Sequence, residues 1–162
     1  MASGAVFDVP VRCDGSGQVR LGAGAIVGYP FAPCIGDGKV LLQARKPGSF
    51  IEIGQGTVIS NNACIVANMA IEIGKNCLLG DSVSIYDSDF HEIDPMRRHS
   101  GNGVSQRVLI GDNVWIGSRA IVLKGVKIGD NAIVGAGSIV TTTIPENTLA
   151  AGVPAKVIRL IG

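Results

Sequence analysis

Aromatic side chains are scarce in this 162-residue chain, at 4% of positions, and neither sign of charge prevails: 14 Lys and Arg face 13 Asp and Glu, for a formal net charge of +1. A nucleic-acid partner needs a basic stripe or stacking platforms, so the balance argues against one. No stretch approaches the roughly 18 consecutive apolar residues of a membrane span. The opening MASGAVFDVP has no basic region leading into an apolar run, so no secretory signal is expected. The four cysteines (Cys13, Cys34, Cys64, Cys77) show no C-x-x-C spacing and no histidine nearby, which predicts small buried hydrophobes rather than zinc ligands or disulfides. There are only two histidines, His91 and His99. Together these absences predict a cytoplasmic protein with no metal requirement.

What the chain has in quantity is glycine, at 23 residues, within a sequence that is 46% hydrophobic and lacks helix-period patterning. That mixture predicts many short strands joined by tight turns. The repeat behind it has a period of six. From Ile110 the chain reads IGDNVW, IGSRAI, VLKGVK, IGDNAI, VGAGSI, VTTTIP, which places Ile110, Ile116, Val122, Ile128, Val134 and Val140 at strict intervals. A second run sets Ile35, Leu41, Pro47, Ile53, Ile59 and Ile65 in phase; Ile73, Leu79 and Ile85 resume it after a two-residue slip, and Leu21 and Val27 precede it. Sixteen of these seventeen slots hold Ile, Leu or Val. An ordinary strand alternates every two residues. An aliphatic residue every six, flanked by Gly, Asn or Asp, instead marks a short strand ending in a sharp corner. Three such corners close a triangular coil, and about five stacked coils account for the chain. A sandwich of hairpins would need turn signals every 8–12 residues or so.

Phase is lost once at length, between Ile85 and Ile110. The interruption holds both histidines, four acids and three arginines. Insertions in a solenoid project as loops, and projecting loops often carry function. Imidazole is the side chain suited to proton transfer near neutral pH. The chain thus divides into N-terminal coils 19–85, a projecting catalytic loop 86–107, C-terminal coils 108–145 and a C-terminal segment 146–162, all within one domain, 1–162.

DSDFHEIDP, then VLIGDNVWIGSRAIVLKGVKIGDNAIVGAGSIVTTTIP, then AAGVPAKVIR, resemble the hexapeptide-repeat acetyltransferases. Within them the nearest branch holds the galactoside, maltose and nodulation-factor acetyltransferases and polysaccharide O-acetyltransferases. The likeness is dense from about Glu52 to Arg159, while the first 50 residues match only as repeats. It implies an all-β, left-handed parallel β-helix, a homotrimer, and acetyl-CoA held between neighbouring prisms. It makes His91 the general base of direct acetyl transfer, ahead of His99. It places an oxyanion donor at the backbone of Gly117 or Ser118. Asp87, Asp89, Glu92 and Asp94 all stand near enough in sequence to orient the imidazole. Ser118, Ala136, Thr141 and Thr142 are implied to line the coenzyme groove. Lys156 and Arg159 meet the phosphates, and Trp115 stacks on the coenzyme or packs at the subunit interface. Relatives often carry lysine where Thr142 stands, so phosphate binding leans on Lys156 and Arg159. Asn61, Asn62 and Asp89 are the candidates for the acceptor, although asparagine also suits the tight corners of a coil. The short ends lack the helical additions of maltose-type and acyl-carrier-protein-dependent relatives, which favours acetyl-CoA and a saccharide of polysaccharide or lipopolysaccharide pathways. An amino-sugar nucleotide as N-acetyl acceptor and a non-catalytic β-helix scaffold are the alternatives. A hydratase with three histidines per zinc is disfavoured by the count of two.

Overall fold

The structure, a computed structural model, describes residues 4–33 and 36–162, so Cys34 and Ile35 lie outside the described residues. The chain winds as a left-handed parallel β-helix with three faces. The first face stacks seven parallel strands, among them Val58–Ile59, Leu78–Leu79, Trp115–Ile116, Ile133–Val134 and Thr148–Gly152. An eighth, Ala155–Leu160, turns back antiparallel on Thr148–Gly152. The second face stacks six strands, including Val40–Ala44, Cys64–Ala67, Ser84–Tyr86, Ile121–Val122 and Ile139–Val140. The third stacks five, from Gln18–Leu21 through Phe50–Ile53, Ala70–Ile73 and Val108–Ile110 to Lys127–Ile128. Register between successive coils is in phase with the repeat: Ile116 lies on Val134, Val122 on Val140 and Ile110 on Ile128.

Each corner shows why its residues are there. Between the third and first faces, Asn76, Asn113, Asn131 and Asn147 turn the chain at φ of 53°, 54°, 58° and 52°. Asparagine tolerates this left-handed region. Here the amides also bond to one another along the stack, Asn113 donating to Asn131 and Asn131 to Asn147, both at 2.9 Å. Between the first and second faces the corner is built on Gly80, Gly117 and Gly135. A Cβ on Gly117 would lie 2.5 Å from the Ala136 nitrogen, so the coils approach too closely there for any side chain.

Two residues per face point into the prism. The larger are the six-period residues Ile53, Ile59, Ile65, Ile73, Leu79 and Ile85, then Ile110 to Val140. Two positions earlier sits a buried, often small partner such as Ala63, Cys77, Ala120, Ala132 or Ser138. Leu21 and Val27 are buried as expected, but the phase between them and Ile53 is corrected. Leu41 points outward and Pro47 is exposed, whereas Leu42 is fully buried and lies on Ile65. The reason is geometric: the lower coils carry extra residues at their corners, so six-residue counting fails there. Three of those insertions, around residues 45–49, 67–69 and 87–107, stack on the corner between the second and third faces. Among the described cysteines the expected burial holds for Cys77; Cys64 is half-buried and Cys13 exposed.

The outsides of the faces differ. The third presents charge, with Arg20 facing Glu52 at 3.6 Å and Arg107 facing Glu72 at 3.2 Å. The first presents an apolar row in register, Ile26, Val58, Leu78, Trp115, Ile133 and Leu149. Leu78 and Trp115 are each 52% exposed. Among the described residues no helix is long and apolar enough to cross a membrane.

Candidate active site

The long interruption leaves the prism after Tyr86 and closes as a narrow neck. Ser88 bridges Ser105, Asp89 donates its N–H to the Val104 carbonyl at 3.0 Å, and Gln106 donates to that of Asp87 at 2.8 Å. Beyond the neck, His91 stands exposed. Its Nδ1 lies 3.3 Å from the Arg98 carbonyl oxygen. A carbonyl only accepts, so Nδ1 is the donor in this contact, and in the neutral ring Nε2 is then the nitrogen that bears the lone pair. His99, in the same loop, is also exposed and has no such contact among the described residues.

The four acids near His91 are all occupied elsewhere. Asp87 is fully buried, and its carboxylate accepts the backbone N–H groups of Asn68, Met69 and Ala70 at 2.7, 2.7 and 2.8 Å. It closes the widened corner of the coil beneath. Asp89 pairs with Lys124 of the next coil at 3.2 Å, and its other oxygen is covered by protein without a partner among the described residues. Asp94 and Glu92 face Arg97 at 3.3 and 3.9 Å. The group that orients the imidazole is therefore a main-chain carbonyl, which no inventory of acids reveals.

The glycine corner brings Ser118 and Ala136 into one column, with Ala151 above them. Of the two oxyanion donors expected, Gly117 is corrected: its N–H is spent on the Val134 carbonyl at 2.8 Å. The Ser118 N–H donates to no protein group among the described residues. Lys156 lies opposite Ala151 and Arg159 opposite Leu149 on the antiparallel pair, so Lys156 is at the top of this column. Thr141 and Thr142 follow Ile139–Val140, at the far edge of the second face, one coil above Leu123 and Lys124. One protomer thus sets the expected coenzyme residues on two different corners. Trp115 sits in the apolar row of the first face.

The residues expected at the acceptor are used inside the chain. Asn61 is buried; its amide oxygen accepts the Tyr29 N–H at 2.9 Å and its nitrogen donates to the Tyr29 carbonyl at 3.2 Å, clamping the segment 29–33. Asn62 turns a corner at φ 61° and donates to the Pro33 carbonyl at 3.1 Å. Asn62 thus turns a corner, Asn61 clamps a loop, and Asp89 ties loop to coil. Among the described residues no three His, Cys, Asp or Glu side chains group as a metal site.

The repeat, the loop and the column can be set beside known proteins. The profile of the family described as "Bacterial transferase hexapeptide (six repeats)" matches residues 107–142. Nodulation protein L of Rhizobium meliloti is 38% identical over 76% of this chain and 68% of its own length. The chain belongs to the hexapeptide-repeat acetyltransferases. The galactoside O-acetyltransferase of Escherichia coli is 44% identical over 70% of this chain, and the match spans 56% of that relative. A hexapeptide-repeat acetyltransferase of Vibrio cholerae, solved in complex with acetyl coenzyme A, superposes with a TM-score of 0.66 at 34% identity, over 69% of this chain and 61% of that one. The chain spans little more than half the length of the galactoside relative, and its family membership rests on the repeats they share.

Proposed function

We propose that this chain transfers an acetyl group from acetyl-CoA to a hydroxyl of a saccharide, with His91 as general base. The observation that carries the reading is the exposed imidazole with Nδ1 engaged by the Arg98 carbonyl and Nε2 free. As the acceptor oxygen attacks the thioester carbonyl, its proton passes to Nε2. The oxyanion that forms is met by the Ser118 N–H, a main-chain donor already fixed in place. Collapse of the tetrahedral species breaks the C–S bond, and the proton on Nε2 returns to the departing thiolate. The transfer is direct: the loop holds no cysteine, and the Cys77 thiol is buried, its pKa raised by that burial.

The pantetheine arm lies along the glycine corner, where Ser118 and Ala136 keep the surface low, and Lys156 and Arg159 supply charge to its phosphates. Within one protomer His91 and Ser118 belong to different corners. A complete site therefore draws them from neighbouring prisms, and the apolar row containing Leu78 and Trp115 supports a homotrimer in which that face is covered. The name of the galactoside relative supports a sugar acceptor; we place it in polysaccharide or lipopolysaccharide assembly, in the cytoplasm where acetyl-CoA is drawn upon.

The test is His91→Ala, followed by release of CoA thiol with methyl galactoside and a panel of hydroxyl and amino sugars. Turnover should fall about 10²–10⁴-fold, the contribution of a positioned base. CoA binding by calorimetry and the oligomeric state should stay as in wild type. A variant that keeps wild-type turnover removes His91 from the chemistry, and transfer confined to amino sugars makes the chain an N-acetyltransferase.

A further inference from the structure

Phe90, the residue immediately before the proposed base, adopts φ 61°. The other non-glycine residues in this region of backbone space turn corners of the coil: Asn62, Ser82 and Arg119 at one, Asn76, Asn113, Asn131 and Asn147 at another. Phe90 alone among them lies in the loop, and a large aromatic is a poor choice for that conformation. Such strain persists where surrounding contacts over-determine it. Here they do. The Phe90 N–H donates to Ser88 Oγ at 3.0 Å, and that hydroxyl also bonds Asn68 and Ser105 at 3.0 Å each. The ring meets Tyr86 edge to face, centroids 6.0 Å apart, and the Arg45 guanidinium lies 4.4 Å from its centroid. Arg45 is itself held, Nε donating to Gln43 Oε1 at 2.6 Å, and Gln43 donates in turn to Asp14 at 2.7 Å. On the far side of His91, Gly103 packs against the backbone so closely that a Cβ would lie 2.6 Å from the His91 carbonyl oxygen.

We infer that Phe90 and Arg45 are positioning residues for His91: the left-handed turn at Phe90 folds its ring back under the Arg45 guanidinium, and this anchor aims the imidazole and keeps Nδ1 on the Arg98 carbonyl. The inference rests on His91 being the base. A loop tether alone would be served by glycine or asparagine at position 90, which take this φ without strain. An aromatic there provides a face for a cation, and Arg45 is the cation in place. Arg45 comes from the widened corner 45–49, in the same corner stack as the loop, so the N-terminal coils contribute to the chemistry through it.

The variants are Phe90→Ala, Phe90→Tyr, Arg45→Met and His91→Ala, each checked for its oligomeric state and melting temperature. The first readout is independent of turnover: long-range proton–nitrogen NMR of the imidazole rings, simple because there are two histidines and His99→Gln assigns them. In wild type and Phe90→Tyr, His91 should be mainly the Nδ1–H form; in Phe90→Ala and Arg45→Met it should move toward the Nε2–H form that a free ring favours. The second is kinetics with acetyl-CoA and the best sugar of the panel above. The kcat of Phe90→Ala should fall about ten- to a hundred-fold, as misplacement of a reacting group does, with KM for acetyl-CoA within about two-fold. Arg45→Met, on the surface, should follow in the same direction by a few-fold, and it decides the matter if Phe90→Ala fails to fold. Wild-type tautomer and kcat in Phe90→Ala or Arg45→Met, with His91→Ala inactive, overturn the positioning role and spare the base. Wild-type turnover in His91→Ala overturns the base itself, and the NMR arm then still reports whether the anchor holds the ring.

Discussion

Removing the Asp87 carboxylate separates a structural acid from a catalytic one. Its two oxygens accept three main-chain N–H groups from residues 68–70, all between 2.7 and 2.8 Å. In Asp87→Ala those donors lose their acceptor at once. Ala70 is buried beneath the loop, so its N–H finds no water, while Asn68 and Met69 are partly reachable. An unsatisfied buried donor costs about 1–3 kcal/mol, and a bond to a charged acceptor is at the upper end. Counting one donor in full and two in part gives a loss of about 3–5 kcal/mol. That is at least about a fifth of the roughly 5–15 kcal/mol that holds a typical domain, and most of it if the domain is at the low end. Asp87→Asn keeps one acceptor oxygen but turns an amide N–H₂ toward a donor, so about 2–3 kcal/mol is expected. Urea unfolding followed by the single tryptophan is the assay, at one fixed protein concentration because assembly is linked to folding. A loss under about 1 kcal/mol for Asp87→Ala would refute the accounting. An Asp87→Asn variant with wild-type stability and abolished turnover would make the acid an orienter of His91 instead.

The cysteines give a check on burial. Desolvation raises the Cys77 thiol above its ordinary value, so at pH 8 it is protonated as well as covered; iodoacetamide should label it only once the protein unfolds, as read by mass spectrometry, and modification in the native state at the rate of exposed Cys13 would contradict the packing of this corner. On the coenzyme side, Lys156→Ala and Arg159→Ala should each raise KM for acetyl-CoA about three- to ten-fold, the effect of an exposed phosphate contact of about 1 kcal/mol, and the increase should shrink with added salt. An unchanged KM in both variants moves the phosphates to another surface.

The C-terminal coils were legible because each corner there has minimal length. From Ile110 to Val140 every six-residue step is one face of the prism, so a one-dimensional count follows the three-dimensional turn. Between Val27 and Ile53 the corners carry extra residues, and six-spaced Leu41 and Pro47 fall outside the core by coincidence of counting, while Leu42 occupies the slot. The small inward residues two places before each aliphatic were also hidden, since Ala, Ser and Thr mark no phase by themselves. The exposure of His91 on a projecting loop was legible, since it lies in the one long break. Its orienting partner was not, because a main-chain carbonyl has no sequence signature. Asp87 did leave a signal: the two-residue slip between Ile65 and Ile73 implies corner N–H groups that the regular ladder cannot satisfy, and a buried acceptor had to come from somewhere. Asn61 left none, since its amide serves a loop about thirty residues earlier in the chain.

These irregularities share a place, and the place explains the loop. Each strand of the second face below the break is longer than those above it: Val40–Ala44 and Cys64–Ala67 against Ile121–Val122 and Ile139–Val140. The longer strands carry the chain past the minimal corner and widen the corners at 45–49 and 67–69, one above the other. Arg45 donates its N–H to the Ala67 carbonyl at 2.8 Å, which locks the first of these corners to the second. Asp87 locks the second to the root of the loop, and Asp89 locks the root to Lys124 in the coil above. A twenty-residue excursion on a minimal corner would have only its two ends to hold it, and its closure entropy would leave the imidazole free to wander. Built on a column of widened corners, the neck is bonded from below and above. The departures from the repeat in the lower coils are thus the footing for the one departure that holds the proposed base.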